Sequence, residues 1–576
     1  MRERVRAAFE SGDISPLIRE AILEAQQASE SPSLSEEIVA AHNCGEINLF
    51  EVEPSSADRQ GGQVDFWSWQ HFLSKVLVEL ECAPAQVLER VQSMTAEGGN
   101  DLASGSLCKP FRDWMYKNKQ ASAVVALLDD ASKDDVVMRS VCIEARALSE
   151  PRDAVAEIVR LLNDTEEAAN LAAALAAGNI DLSLHDDLVE EVCTSLVEKV
   201  QGNPIDLVTA NLLDALIRIY VRSPRLIEGP LLEVLTFPEF DPGPDAIHRL
   251  AHRLFLNADE LSPPLVKAIV EVTIRLPEEN LGTLSVLDDA VANLLRVGRR
   301  EEAIELFNRL VFERGFTADQ LEDSSRAILS LSKQELSAFA VDCLLSGSVA
   351  LGDALSDILM GYHGQEPFEL ELPADAQTLP PRESHFLARK AVGFLFLRPV
   401  TAASLLIEIA ENDPENLNEP ISELLFDPLL LNYSGILREW FEVQAVSDRP
   451  SAELLNKILN DLDRYLEGLR EAGEVAELHP SERQRMIERR MQQRKMEVAR
   501  EKADKASILE LIATRQVMLY GRKAISYFDD VEGVSRRNVM ELSTFSTSVE
   551  TPRHDILEPF GLDLMLRTLR VEKLTP

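Results

Sequence analysis

LLDDASKDDVVMRSVCIEARALSEPRDAVAEIVRLLND, residues 127–164, decides the fold. It opens on Leu127-Leu128-Asp129-Asp130 and closes on Leu161-Leu162-Asn163-Asp164, an offset of 34 residues. Between them the spacing predicts a helix, a turn marked by Pro151 and a second helix. Asp134 or Asp135 is placed to cap the first helix, and Val137, Val141 and Ala145 share one face at i, i+4 steps. One helix pair cannot bury its apolar face alone. Neighbouring pairs must cover it, and serial stacking then builds a continuous core.

The segment resembles a HEAT or armadillo unit in its Asp-then-Val/Arg start and its Asp-ended second helix. The following copy, EEAANLAAALAAG at 166–178, keeps the register but is rich in alanine. A second echo, VLDDAVANLLRVGRREEAIELFNRLV at 286–311, resembles a tetratricopeptide unit. Gly298 occupies its turn, and Ala303, Phe307 and Leu310 lie on its following helix. Together the resemblances imply an all-α fold, an irregular helical-repeat solenoid, to which the residues of the C-terminal quarter add a long helical hairpin and a small mixed end piece. The same periodicity would also permit a set of discrete helical bundles.

Composition agrees. The chain has 576 residues, only 6% of them aromatic, and leucine, alanine and glutamate dominate. Such side chains lose little rotamer freedom in a helix. Against 58 Lys+Arg stand 98 Asp+Glu, a formal charge of −40. A surface of that sign repels phosphate backbones and anionic lipid unless a local segment is basic. The N-terminus has no apolar core of a secretory signal. No stretch reaches the roughly 18–20 apolar residues of a membrane span, and the most apolar region, 336–352, carries Asp342. Cys44, Cys82, Cys108, Cys142, Cys193 and Cys343 are widely spaced, with no CxxC pair, and read as reduced, mostly buried thiols. The expectation is a cytoplasmic protein without membrane contact; oligomeric state is left open.

Turn-rich breaks suggest an N-terminal helical capping region at 1–106 and helical repeats over 107–361. An extended acidic, Pro-rich linker follows at 362–384, in which Phe368, Leu370 and Leu372 alternate with acids as in a short strand. Next come a helical region at 385–450, a long hairpin at 451–525 and an end piece at 526–576. In the hairpin Ser451 is placed to cap a first helix striped by Leu455, Ile458, Leu459, Leu462, Leu466 and Leu469. Ser481 and Gln484 form a capping-box pattern opening a second helix expected to run to Val517.

That second helix is the sharpest candidate for function. Residues 481–523 hold 12 Lys+Arg and 6 Asp+Glu, a net +6, so the remainder carries −40 − 6 = −46. Arg489, Arg490, Arg494 and Lys495 are the candidate contacts, either to an acidic protein surface or to nucleic acid, with Met486, Met491 and Met496 as adaptable neighbours. Interleaved aromatics that would stack bases are missing. Trp67 and Trp69, in FWSWQHF at 66–72, are either a partner-binding hot spot or the core of the capping region.

Chemistry has weaker candidates. His248 and His252 sit at i, i+4, the spacing of a zinc pair, but have no nearby cysteine and are flanked by Arg249 and Arg253. The stretch Asp129-Asp130…Asp134-Asp135 resembles the magnesium-binding aspartates of all-helical isoprenoid synthases, but it falls between helices, where Asp caps. Phosphate-loop, dinucleotide and nucleophile-elbow motifs do not occur. No catalytic residue, metal or cofactor is therefore assigned. The expected function is a non-enzymatic scaffold or adaptor that binds a protein partner. The alternatives are a nucleic-acid accessory factor acting through 481–523, and an enzyme of another type drawing on Asp129, Asp130, His248 and His252.

Overall fold

A computed structural model describes residues 2–574 except 12–13, 25–33, 55–64, 100, 102, 131–134, 203–204, 278–279, 365, 447–449, 476–478, 506–514, 519–522, 530–534 and 542–549; over 515–541 it describes the backbone. The chain divides into two compact units, Met1–Ser330 and Leu331–Pro576.

The first unit opens with α1 (Arg2–Ser11), α2 (Ser15–Glu24), α3 (Leu34–Asn43), α4 (Phe66–Val76) and α5 (Pro84–Gly98). There follow α6 (Cys108–Asn118), α7 (Ala121–Asp130), α8 (Val136–Ala147), α9 (Pro151–Leu162), α10 (Glu167–Asn179) and α11 (Asp186–Gly202). The unit ends with α12 (Asp206–Arg222), α13 (Pro224–Thr236), α14 (Pro244–Leu256), α15 (Pro263–Thr273), α16 (Leu281–Arg296), α17 (Arg300–Phe312) and α18 (Glu322–Leu329). Each even-numbered helix from α8 to α16 packs on the next even one, and α9, α11, α13, α15 and α17 pack likewise in a second layer. Sequential helices join the layers, which is the stacking of an α-solenoid.

Local chemistry sets the boundaries. Asp135 caps α8, its carboxylate accepting the Met138 N–H at 3.0 Å. Proline begins α9, α13, α14 and α15, where a missing N–H costs nothing. One detail of the sequence reading is corrected: Val137 is 40% exposed. The buried face of α8 runs through Met138, Val141, Cys142 and Ala145, because Val137 in the first turn points outward. In the 286–311 segment Ala303, Phe307 and Leu310 are fully buried, and Gly298 turns the chain at φ 83°, a conformation that favours glycine.

The alanine-rich α10 has a packing reason. It is enclosed by α8, α9 and α12, so Ala172, Ala173, Ala176 and Ala177 are all buried. A Cβ on Gly178 would meet the Ala215 backbone of α12 at 3.2 Å. Small side chains are what let three helices approach one. Repeats also cap one another. The Asp206 carboxylate on α12 accepts the Asp245 and Ala246 N–H groups opening α14, at 2.7 and 3.1 Å. Asp288 on α16 does the same for Asp323 and Ser324 of α18, at 2.9 and 2.7 Å.

The second unit contains α19 (Lys333–Leu345), α20 (Val349–Met360), α21 (Pro381–Leu395), α22 (Pro399–Asn412), α23 (Pro414–Leu424), α24 (Ile436–Val446), α25 (Ala452–Gly473) and α26 (Glu482–Lys505). Alternate packing continues through α19, α21, α23 and α25, and between α22 and α24. A three-stranded antiparallel sheet follows: β1 (Arg515–Met518), β2 (Lys523–Asp529) and β3 (Ser535–Glu541), with Ile525 opposite both Val517 and Val539. Two helices end the chain, α27 (Arg553–Leu557) and α28 (Pro559–Val571). The latter returns to α21, where buried Lys390 donates to the Arg570 carbonyl at 2.5 Å.

Three readings change here. Residues 515–517 are strand rather than the end of a helix, because pairing with β2 satisfies their backbone. The 366–372 segment is extended but pairs with no strand among the described residues. Its Leu370 and Glu371 N–H groups donate to the hydroxyls of Ser404 and Ser337, at 2.9 and 3.0 Å, and Leu370 and Leu372 are buried. Ser451 does not cap α25; its hydroxyl is turned to Glu411. The stripe on α25 is buried at Leu455, Ile458 and Leu462, then half-buried at Leu466 and Leu469.

Among the described residues no helix is long and apolar enough to cross a membrane. The packing of α10 makes a direct prediction. Ala177→Leu forces a larger side chain between three helices and should cost about 1–3 kcal/mol. Ala168→Leu, on the half-exposed first turn, should cost less than about 0.5 kcal/mol. Denaturant unfolding of the two variants side by side checks this.

Candidate interaction surfaces

α26 opens with the reciprocal cap its sequence spells. Gln484 N–H donates to the Ser481 hydroxyl at 3.3 Å, and Ser481 N–H donates to the Gln484 side-chain oxygen at 2.9 Å. The helix is 24 residues long, about 36 Å at 1.5 Å per residue. Every side chain from Glu482 to Lys502 is exposed. Met486, Ile487, Met491, Met496 and Val498 are 47–74% exposed, although burial would ordinarily claim such residues. Arg489, Arg490, Arg494 and Lys495 form no ion pair with any described residue. Like charges also face each other at i, i+4 in Arg485/Arg489 and Arg490/Arg494. Each such pair opposes the helix by about 0.2–0.5 kcal/mol. Cations and apolar side chains thus share one helix that the rest of the described chain does not cover.

The tryptophans divide. Trp69 is fully buried, and Trp67 is half-buried against the same core, in T-shaped contact with Phe66. In this conformation Trp69 offers nothing to a partner.

His248 and His252 lie on α14, but different groups claim them. His248 Nδ1 is 3.0 Å from the Thr283 hydroxyl on α16. Burial, then the neighbouring Arg249 and Arg253, pushes the His252 imidazole below its ordinary pKa. Among the described residues no three His, Cys, Asp or Glu side chains converge as a metal site would require. Asp129 pairs with Arg139 at 3.0 Å, and Asp135 is occupied as a cap and by Gln92. The Asp130 side chain and Asp134 lie outside the described residues.

The structure adds a feature that motif reading missed. Glu144, Asn179, Asp214 and Arg249 recur 35 residues apart, on α8, α10, α12 and α14. Asn179 donates to Glu144 at 2.8 Å, Arg218 donates to Asn179 at 2.5 Å, and Arg249 stands 4.0 Å from Asp214. Asp214 is 5% exposed and is also held by Arg253 and by Arg218, the latter at 2.9 Å. Burial raises the Glu144 pKa despite the bonds from Asn179 and Ser140. The near-constant offset between LLDD and LLND was the available signal; following it through polar positions would have found this ladder.

No protein-family model, curated protein or solved structure matches the chain.

An exposed helix without tertiary support opens locally far more often than a packed one. Limited trypsin digestion of the isolated chain should therefore cut first within 483–505, leaving the stacked helices intact at early times. First cuts inside α8–α18 would contradict the description of α26.

Proposed function

We propose that this protein is a non-enzymatic scaffold that holds a protein partner, with α26 as a principal contact. One observation carries the reading: a whole helix presents arginines, methionines and Ile487 to solvent. Alone, such a helix gains little, because helices in proteins are stabilised chiefly by burying a face. Against an acidic, partly apolar surface it would bury Met491 and Ile487 and pair its cations together, removing the like-charge opposition along the helix. The stacked layers supply the rigid support a scaffold needs, and their HEAT-like and tetratricopeptide-like patterns are in keeping with that role. Residues 489–495 are the contact this reading commits to; Trp69 is not.

Nucleic acid is the second reading, favoured by the same uncovered Arg489, Arg490, Arg494 and Lys495. The −46 on the remainder of the chain opposes a long polyanion within a Debye length of roughly 8–10 Å. A single protein surface is less affected than a duplex.

Charge reversal decides between them. Replacing Arg489, Arg490, Arg494 and Lys495 by Glu should abolish recovery of a stoichiometric protein partner from cells, while thermal unfolding stays unchanged. The unaltered chain should show no duplex retention at physiological salt. DNA retention that falls by roughly 0.9 log units per contacted phosphate for each log unit of salt, and is lost in the variant, would establish the nucleic-acid reading instead.

A further inference from the structure

On α12 and α14 the polar ladder becomes unbalanced. Arg218, Arg249 and Arg253 all converge on one carboxylate, Asp214. Two of them hold it closely, and Arg249 remains at 4.0 Å with its side chain 38% exposed. Glu144 lies within electrostatic reach of Arg218 but is held by Asn179 and Ser140. Asp245, one turn before Arg249, is exposed and forms no ion pair with a described residue. His248 is exposed and His252 half-buried on the same side of α14 as Arg249, and the buried Nδ1 of His252 has no hydrogen-bond partner. Two half-exposed guanidiniums, Arg218 and Arg249, therefore stand with two imidazoles above the buried Arg253–Asp214 pair on the alternate helices α12 and α14, inside a chain of −40. Crowded cations repel, and Arg218 is pushed below its ordinary pKa by burial and by Arg253 and Arg249, against the opposing pull of Asp214.

We infer that the Arg218–Arg249–His252 surface is a recognition site for a carboxylate-bearing acidic segment of a protein partner. An incoming carboxylate would accept from Arg249 and Arg218, completing a second anion for guanidiniums that share only one. Charge-assisted bonds of this kind are short, strong and directional with arginine. The permanently present Asp214 repels any anion placed beside it, and it repels a phosphate dianion at that point about twice as strongly as a single carboxylate. A segment with successive acidic side chains can instead place single charges on α12 and α14 in turn. The inference rests on the partner-binding reading above, but it concerns the first unit and not α26.

The test uses the full chain and a fluorescein-labelled oligoglutamate peptide, followed by anisotropy. The unaltered protein should bind it, and Arg249→Glu should weaken binding by about tenfold or more, the loss of a charged hydrogen bond and its reversal. Arg225→Glu makes the same charge change at an exposed residue of α13, in the other layer, and should stay within about twofold. Should R249E fail to fold, Arg249→Gln carries the same comparison. No binding by the unaltered chain, or equal weakening by R249E and R225E, overturns the site. Inorganic phosphate displacing the peptide at lower concentration than free oligoglutamate does overturns the carboxylate assignment. Partner recovery separates the two readings. A partner still recovered from cells while peptide binding is missing sinks this site alone. Peptide binding that depends on Arg249, with no partner recovered, supports the site and sinks the scaffold role.

Discussion

A helix in the first unit must be covered on more than one side, and that single requirement governs the rest. The apolar stripe of α12 cannot be buried by α11 and α13 alone; α10 and α14 have to press on it as well. Close approach of alternate helices then dictates small residues where three neighbours meet, which is why α10 is built from alanine and ends at Gly178-Asn179. Stacking also places the same position of successive repeats side by side. Polar groups at those positions must satisfy one another or lose hydrogen bonds they had in water. The ladder from Glu144 to Arg249 and the caps supplied by Asp206 and Asp288 are the outcome.

The second unit meets the same requirement less uniformly. Its extended 366–372 segment has no sheet to join, so side-chain hydroxyls on α19 and α22 take the place of a neighbouring strand. Glu369 accepts from the Trp440 indole at 2.8 Å, and Glu371 pairs with Lys333 at 3.0 Å, so the acids of the alternating pattern face outward partners while the leucines are buried. At the C-terminus, Lys390 spends its ammonium on a backbone carbonyl and on the faces of Phe386 and Phe394. A buried cation with those contacts ties α28 to a helix far upstream in sequence. α26 does not meet this requirement, since every side chain from Glu482 to Lys502 is exposed.

Signals confined to a few residues were legible in the sequence: the paired helices of 127–164, the glycine turn at 298, the Ser481/Gln484 cap. Signals that depend on distant partners were not. β1 follows an apolar run that fits helical spacing, and only β2 makes 515–518 a strand. Ser451 looks like a cap until Glu411, forty residues earlier, competes for its hydroxyl. Val137 keeps the i, i+4 spacing of Val141 and Ala145, but it lies in the first turn of α8 and is left exposed there. Asp214 and Arg249 carry no motif at all; each is one polar residue per repeat, and the relation between them exists only once α12 and α14 lie together. Of the candidate surface, the cations of α26 were visible as composition, whereas the lack of an ion pair to any described residue at Arg489, Arg490, Arg494 and Lys495 shows only in the folded chain.

Amide hydrogen exchange on the isolated full chain tests the central claim most directly, since it reports stacking helix by helix. Helices enclosed on several sides, α10, α12, α14 and α16, should exchange slowest, and α26 should exchange within the fastest class despite its length and its capping box. Protection of α26 comparable to that of α12 would show that the chain covers this helix itself, and the account of a stacked body with one uncovered contact helix would be wrong.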